Sequence, residues 1–250
     1  MAGRSDSGDG LLLSRVHDAF RIARDSCVVK HIGFLGEHGA ALCASALKGQ
    51  NEVDVRFFGG HEDAERTVLG LFPKGEEIRW PIAALTLLTR QEASLSHRDY
   101  LGSMLALGIA RESVGDLLCE PGRCVAFLTP SVVPVIRDEL TRIGREGVRI
   151  AEGYEEPLPA AHTFRAFTET VASLRLDGVV AALCSASRGQ ATEWIRLGLV
   201  SCNGRPCDKT SAAVREGDKI AVRGKGKFVI DRGSAVTRKG RIVLEARQYL

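Results

Sequence analysis

Ser187, Arg188 and Gln190 stand together at the start of a predicted helix, where their side chains are suited to binding an anion. Ser187 is a favourable N-cap residue and Gly198 a common left-handed stop, so we predict a helix over residues 188–197. Arg188 falls in its first turn, where a positive charge opposes the helix dipole. A phosphate partner explains this arginine better than helix stability does, because N–H groups at a helix start bind phosphate oxygens.

Further cations follow in the same region and extend the predicted phosphate site. The extended set is Arg175, Arg196, Lys209, Arg223, Lys225 and Lys227. Clustered on one surface, such residues form a groove that follows a nucleic-acid backbone. The alternative is that they are solvated surface charges with no ligand.

Two short helices and two strands are predicted to position these cations. Apolar residues recur at helical intervals over residues 176–183, which predicts a helix before the one that Ser187 caps. Residues 199–202 alternate between apolar and polar and precede Asn203-Gly204, a strong hairpin signal. A second strand is predicted over residues 219–223. A hairpin is expected after it, and its cations, Arg241 among them, add to the basic surface.

The ordered motifs of this region resemble the S4 RNA-binding domain. They are Arg175-Leu176-Asp177, Ser187-Arg188-Gly189-Gln190-Ala191, Gly198 to Gly204, and Gly217 to Arg223. The resemblance implies an RNA surface formed by Ser187, Arg188, Gln190, Asn203 and Lys209. Gln190 stands where many relatives have Lys or Arg. Trp194 replaces the usual aliphatic residue and is expected to pack in the core.

Composition places the basic surface at one end of the chain. From residue 171 onward there are 15 Lys and Arg against 7 Asp and Glu, whereas residues 1–170 hold 19 and 24. A basic end on a mildly acidic remainder is typical of proteins that bind nucleic acid. Seven cysteines without CxxC spacing predict neither disulfides nor a metal site, and no cofactor is expected. The polar N-terminus and the lack of a long apolar run predict a cytoplasmic protein.

The chain is predicted to be an α+β protein with several domains. A 250-residue chain is long enough for two or three. The predicted division is a disordered tail over residues 1–9, a small α/β domain over 10–75, a middle domain over 76–153, a linker over 154–170 and the S4 domain over 171–250. The small α/β domain is predicted to contain a helix over residues 64–71. The middle domain has the order βαββαβ, which is ferredoxin-like and shared with RRM domains, and its second helix is predicted over residues 132–143. Its central strands offer only Phe127 for base stacking, which favours contacts with a protein, or with RNA through helices and loops.

The run Ser96-His97-Arg98-Asp99-Tyr100 opens a helix of the middle domain. Ser96 as N-cap and Asp99 three residues later form a near capping box, so capping and packing explain the run. The alternative is that Arg98 and Tyr100 contact RNA or a partner.

Motifs along the whole chain resemble the bacterial YlmH family. They are Phe58-Gly59-Gly60, Ala64-Glu65-Arg66, Leu95 to Gly102, and Ser173 to Asp177 leading into the S4-like region. By their residue types, residues 56–60 and 64–66 are explained either by a binding edge or by a tight turn and a helix start. The resemblance implies association with the large ribosomal subunit, with binding of rRNA and tRNA in rescue or quality control of stalled translation. A link to cell division is also attached to that family.

A non-catalytic RNA-binding protein is therefore the leading hypothesis. One alternative is an RNA-modifying enzyme, since Arg175-Leu176-Asp177 mimics the active-site motif of pseudouridine synthases, which also carry S4 modules. However, the sequence has no GxGxxG after a strand, no P-loop and no His/Cys metal cluster. The other alternative is an adaptor, linked to cell division, whose residues 10–153 bind a protein.

Overall fold

The computed structural model describes residues 5–160, 164–233, 237 and 240–249, with the backbone alone for residues 5–7. The chain divides into two compact units, residues 1–161 and 162–250. Helices and strands occur in both units, which confirms the α+β prediction. No helix among the described residues is long and apolar enough to cross a membrane.

The first unit begins with helices packed on a three-stranded antiparallel sheet. Its elements are α1 (Ser5–Ser26), β1 (Lys30–Leu35), α2 (Glu37–Ala46), β2 (Val53–Phe58) and β3 (Thr67–Pro73), and the strand order is β1-β3-β2. Two expectations are corrected here. The predicted disordered tail is helical from Ser5, and residues 1–4 lie outside the described residues. The helix predicted over residues 64–71 is wrong, because the buried apolar run forms the central strand β3.

The middle part has the predicted split βαβ topology. Its elements are β4 (Ala83–Leu88), α3 (His97–Ala106), β5 (Val114–Glu120), β6 (Arg123–Leu128), α4 (Val133–Glu139), β7 (Arg142–Ile143), β8 (Glu146–Gly147) and β9 (Arg149–Glu152). Strand β4 is antiparallel to both β6 and β9, and the order β5-β6-β4-β9 is that of a ferredoxin-like sheet. The helix predicted to end at Ile143 ends at Glu139, since Gly144, at a φ of 57°, closes the β7–β8 hairpin.

One face of this middle sheet is covered by the N-terminal elements. Phe127, the aromatic residue on its central strands, is 1% exposed and packs in one cluster with Phe34 and Val68. Trp80 packs against the same cluster. The face that would stack bases in an RRM is therefore closed within the first unit, in keeping with the expectation that this sheet does not stack RNA.

The motifs Phe58-Gly59-Gly60 and Ala64-Glu65-Arg66 build this intramolecular interface. A Cβ on Gly60, which has a φ of 102°, would lie 2.4 Å from the Phe127 ring. The Asp116 carboxylate accepts hydrogen bonds from the backbone N–H groups of Glu65, at 2.7 Å, and Arg66, at 3.1 Å. Of the binding edge and the turn considered for these motifs, the structure supports the turn.

The second unit is a six-stranded antiparallel sheet with two helices on one face. Its elements are β10 (Phe164–Val171), α5 (Leu176–Leu183), α6 (Arg188–Arg196), β11 (Val200–Cys202), β12 (Arg205–Pro206), β13 (Lys219–Val222), β14 (Gly226–Arg232) and β15 (Ile242–Tyr249). The strand order is β10-β15-β14-β13-β11-β12. The predicted linker over residues 154–170 is wrong from Phe164 onward, because β10 pairs with β15 along its whole length. The prolines of the predicted linker all precede β10. Because β10 is an edge strand with few buried residues, it has no clear apolar pattern in the sequence.

Candidate nucleic-acid interface

A buried carboxylate joins the two arginines at the starts of α5 and α6. The Asp177 side chain is 6% exposed and accepts hydrogen bonds from Arg175, at 2.9 and 3.2 Å, and from Arg188, at 3.1 Å. The N–H group of Gly178 donates another at 2.8 Å. Because one negative charge faces two guanidinium groups, the cluster keeps a net positive charge.

Arg188 thus has an internal partner as well as a solvent-exposed surface. The prediction of an external partner alone is corrected, because the Asp177 carboxylate is an internal partner that offsets the unfavourable helix dipole. The Arg188 side chain nevertheless remains 58% exposed, and only its Nη2 atom contacts Asp177. Its Nε and Nη1 donors have no acceptor among the described residues. Asp177 therefore orients the guanidinium and leaves donors for a phosphate.

The same pairing makes the stability of the second unit depend on pH. Hydrogen bonds from Arg175 first, and then from Arg188, lower the pKa of Asp177 against the opposing effect of burial. A carboxyl with a lowered pKa stabilises the fold above its unfolded pKa of about 3.9, and this stabilisation is lost as the pH falls through the lower folded value. We expect Asp177→Asn to cost about 1–3 kcal/mol at pH 7.

The cost of Asp177→Asn should shrink toward zero as the pH falls below the unfolded pKa. Thermal unfolding of the wild type and the variant between pH 7 and pH 3 measures this. Asp208→Asn is the matched control, since Asp208 is exposed and has no partner among the described residues. An Asp177→Asn cost that stays constant down to pH 3 would contradict the assignment.

The predicted capping of α6 is present and organises its start for an anion. Ser187 accepts a hydrogen bond from the Gln190 N–H at 3.2 Å, and the Gln190 amide oxygen accepts one from the Ser187 N–H at 3.0 Å. Both side chains are thus engaged in a capping box. The N–H groups of Arg188 and Gly189 have no acceptor in the described parts of the chain, as expected for a first turn.

A recess of about 430 Å³ lies beside this helix start. Arg188 and Arg241 both line it, together with Ser185. Arg241 also donates a hydrogen bond to the Thr170 carbonyl at 2.6 Å, which fixes its position. Arg241 joins the site although sequence reasoning treated it only as part of the general basic surface. Its position beside Arg188 could not be predicted, because the register of β15 against β10 cannot be read from the sequence.

The loop after β12 brings Lys209 close to the Asp177 cluster. The carbonyl of the next residue, Thr210, accepts a hydrogen bond from the Asp177 N–H at 3.0 Å, and that of Ala212 accepts one from the Leu176 N–H at 2.9 Å. Lys209 itself is exposed. Asn203 instead ties two turns together, since its amide donates to Asp218 at 2.8 Å and accepts from the Lys219 N–H at 2.9 Å. Its predicted contact with RNA stays a prediction.

A second group of cations lies toward the other end of α6. Arg223, Lys225 and Lys227 line one recess of about 450 Å³ at the β13–β14 turn. The Lys225 amine lies 5.4 Å from the centre of the Trp194 ring on α6. Trp194 packs partly against the core, as expected, and also holds this lysine through a cation–π contact. Arg196 is exposed in the last turn of α6, about 12 Å along the helix from Arg188.

The cations predicted as one surface are therefore divided into two groups. The α6-start group consists of Arg175, Arg188 and Lys209, and the hairpin group of Arg223, Lys225 and Lys227. The Lys227 amine departs furthest from the prediction, because it lies 4.7 Å from the centre of the Tyr249 ring. Lys227 alternates with the buried Phe228, so it points to the sheet face opposite the helices.

Of the two residues predicted to make a secondary contact in the middle part, only Arg98 is accessible. Tyr100 is 1% exposed and lies 3.3 Å from the Thr89 hydroxyl, so a contact of Tyr100 with RNA or a partner is excluded and that prediction is wrong. Arg98 is exposed and lines a groove between α3 and β7 together with Arg142. The capping prediction holds, since the Asp99 carboxylate accepts from the Ser96 N–H at 2.8 Å.

Models of known families match residues in both the middle part and the second unit. Residues 84–156 match the family model described as a putative RNA-binding domain in YlmH, and residues 174–220 match the S4 domain. The fold and the site thus define an RNA-binding protein with an S4 domain. Both matches confirm the resemblance of this chain to the YlmH family.

Two relatives extend the similarity over most of the chain. The "Ribosome-associated protein quality control protein P2" of Bacillus subtilis (strain 168) is 28% identical over 225 residues, covering 88% of this chain and 87% of that protein. The structure titled "Cell division protein ylmH from Streptococcus pneumoniae" has a TM-score of 0.50 at 19% identity, covering 59% of this chain and 92% of that one. This likeness shows the fold alone.

Proposed function

We propose that the protein associates with ribosomes in the cytoplasm and binds rRNA and tRNA on the large subunit, in rescue or quality control of stalled translation. The name of the Bacillus subtilis relative and the two matched RNA-binding domains support this function. The observation that carries it is the exposed Arg188 guanidinium, held by Asp177 at the capped start of α6. This arrangement presents charged donors whose orientation is fixed before RNA arrives.

The proposed contact reads the RNA backbone and its shape rather than base sequence. The Nε and Nη1 donors of Arg188 and the N–H groups at the start of α6 would hold one phosphate. Lys209 and Arg241 flank that position, and the hairpin group lies beyond the far end of α6. Cations at both ends of one short helix suit a folded RNA whose backbone runs along it.

Arg188→Gln in the full chain tests this proposal. Losing a charge-assisted hydrogen bond costs about 1.5–3 kcal/mol, so the affinity for large ribosomal subunits should fall roughly tenfold or more. Co-sedimentation over a range of protein concentrations measures it. The fold should survive, because Arg175 still neutralises Asp177.

Arg215→Gln is the matched control for this experiment, since Arg215 is an exposed arginine of the same unit that lies outside both cation groups. It should sediment like the wild type. Equal affinities of all three proteins, or equal losses in the two variants, would contradict the role of Arg188.

We propose in addition that the protein acts by binding and not as a pseudouridine synthase. A nucleophilic aspartate must reach its substrate, whereas the Asp177 carboxylate is 6% exposed and held by two arginines. Analysis of rRNA from a deletion strain tests this, because a lost pseudouridine that returns with the wild-type gene but not with Asp177→Asn would overturn it.

A further inference from the structure

The sheet of the second unit has an outer face, which points away from α5 and α6 and carries aromatic and basic side chains in contact. Along each strand the side chains alternate between this face and the core. Phe228, Leu244 and Ala246 are buried on the helix side, so the residues between and beside them point outward. The outward residues at this end of the sheet are Phe164, Lys227, Arg247 and Tyr249.

Two aromatic rings form the centre of this outer face. Phe164 of β10 pairs directly with Tyr249 of β15, and their ring centres are 4.9 Å apart in an edge-to-face arrangement. The pair lies at the edge of the sheet, and Phe164 remains 37% exposed. Aromatic surface exposed on a sheet face is the feature on which RNA-binding sheets stack bases.

Basic groups lie directly over both rings. The Arg247 guanidinium is 4.7 Å from the centre of the Phe164 ring, and the Lys227 amine is 4.7 Å from the centre of the Tyr249 ring. Arg247 is also held by Asp231 at 2.9 Å. Bases stack on arginine planes as well as on aromatic rings, and cations next to stacked bases attract the phosphates between them.

The residues that continue the row of Lys227 across the sheet are small. Strand pairing continues the row from Lys227 to Ala221 on β13 and from Ala221 to Ser201 on β11. The acidic Glu245 pairs with Thr168, further along the strands from the rings. Glu245 also pairs with Arg232, so the aromatic pair and the two cations over its rings mark the end of this face at which a polyanion would bind.

We propose that this outer face binds a single-stranded segment of RNA, whose bases stack on Phe164 and Tyr249 and whose phosphates contact Lys227 and Arg247. The inference rests on the proposed function, since it gives an RNA-binding protein a second contact on the opposite side of the sheet from Arg188. The protein then holds structured RNA on its helix side and an unpaired strand on its outer face.

The test uses the full chain and a fluorescently labelled 12-nucleotide oligouridine, with binding followed by anisotropy. Replacing both Phe164 and Tyr249 with serine should weaken binding at least tenfold, since stacking is lost at two positions. Thr168→Ala, on the same face but away from the rings, is the matched control and should bind like the wild type. Phe164→Tyr should also keep the affinity, because it preserves a ring.

Arg188→Gln separates this inference from the proposed function. It should weaken binding to ribosomal subunits while leaving the affinity for oligouridine within about threefold, because one distant charge adds little to a stacking contact. Ultraviolet crosslinking of oligouridine should label the peptide that contains Tyr249, which a purely structural role of the ring would not produce.

Oligouridine affinity that is unchanged by the double serine variant, or crosslinks confined to other peptides, would overturn the inference. A double serine variant that melts at a lower temperature but binds oligouridine normally in its folded fraction would also overturn the inference. The rings would then serve only to pack the fold or a protein partner. If Arg188→Gln still abolishes ribosome binding, the proposed function stands without this second site.

Discussion

Replacing Arg66 with methionine is expected to lower the free energy of unfolding of the first unit by roughly 3–5 kcal/mol. The Arg66 guanidinium donates hydrogen bonds to three backbone carbonyl groups, those of Phe34 at 2.7 Å, Val114 at 2.9 Å and Arg111 at 3.2 Å. These carbonyls belong to the N-terminal elements and to the middle part, so one side chain joins both. Methionine fills similar space but leaves the acceptors unpaired.

Arg66 remains charged at neutral pH in spite of its surroundings. Burial first, and then the nearby Arg111, lower the pKa of Arg66 to about 10, while Asp116 opposes the change. Urea unfolding of the full chain measures the loss, and Arg56→Met is the matched control because Arg56 is exposed on β2. If both variants unfold at the wild-type midpoint, the Arg66 bonds do not hold the two parts together.

Raising monovalent salt from 50 to 200 mM is expected to weaken RNA binding by roughly a thousandfold, if about six cations contact phosphates. The helix side of the second unit supplies that number, namely Arg175, Arg188, Lys209, Arg241, Arg223 and Lys225. Each contact releases condensed counterions, so the logarithm of the binding constant falls linearly with the logarithm of the salt concentration. Titration of purified large-subunit rRNA at four salt concentrations measures the slope.

Arg188→Gln should reduce the size of this slope by about 0.7–0.9, the contribution of one phosphate contact. Arg215→Gln should leave it unchanged. A wild-type slope near zero would mean that charge does not drive binding, and the electrostatic account of both groups would then be wrong.

Local signals explain why the S4 region was predicted well. The helix predicted over residues 176–183 has those bounds, and the helix predicted over 188–197 ends one residue earlier. Capping residues, a glycine stop and an Asn-Gly turn act over a few residues each, so they can be read without knowing the fold. The topology of the middle part followed from the same kind of signals.

The secondary-structure predictions were wrong where tertiary contacts determine whether a segment forms a helix, a strand or a loop. Strand β3 is buried on both sides, and a short continuous apolar run does not distinguish a strand from a buried helix. Strand β10 is an edge strand with mostly exposed residues, so its pairing with β15 left no pattern in the sequence. Both strands are held by partners ten or more residues away in the sequence.

The candidate site also depends on tertiary contacts that could not be predicted from the sequence. The residue types at the start of α6 indicated an anion site, but sequence spacing did not show that Asp177 would hold Arg175 and Arg188 together. Nor did it show that Tyr100 faces the core or that Lys227 faces away from the helices. A charge cluster in sequence becomes one surface only if strand register and helix packing place it there.

A crosslinking map of the full chain on intact ribosomal particles tests the central claim most directly. The account predicts that rRNA and tRNA crosslinks concentrate on peptides from the start of α6, the Lys209 loop and the β13–β14 turn, and that those at the α6 start weaken in Arg188→Gln. Crosslinks confined to residues 5–160, or none to RNA in the presence of bound particles, would contradict it.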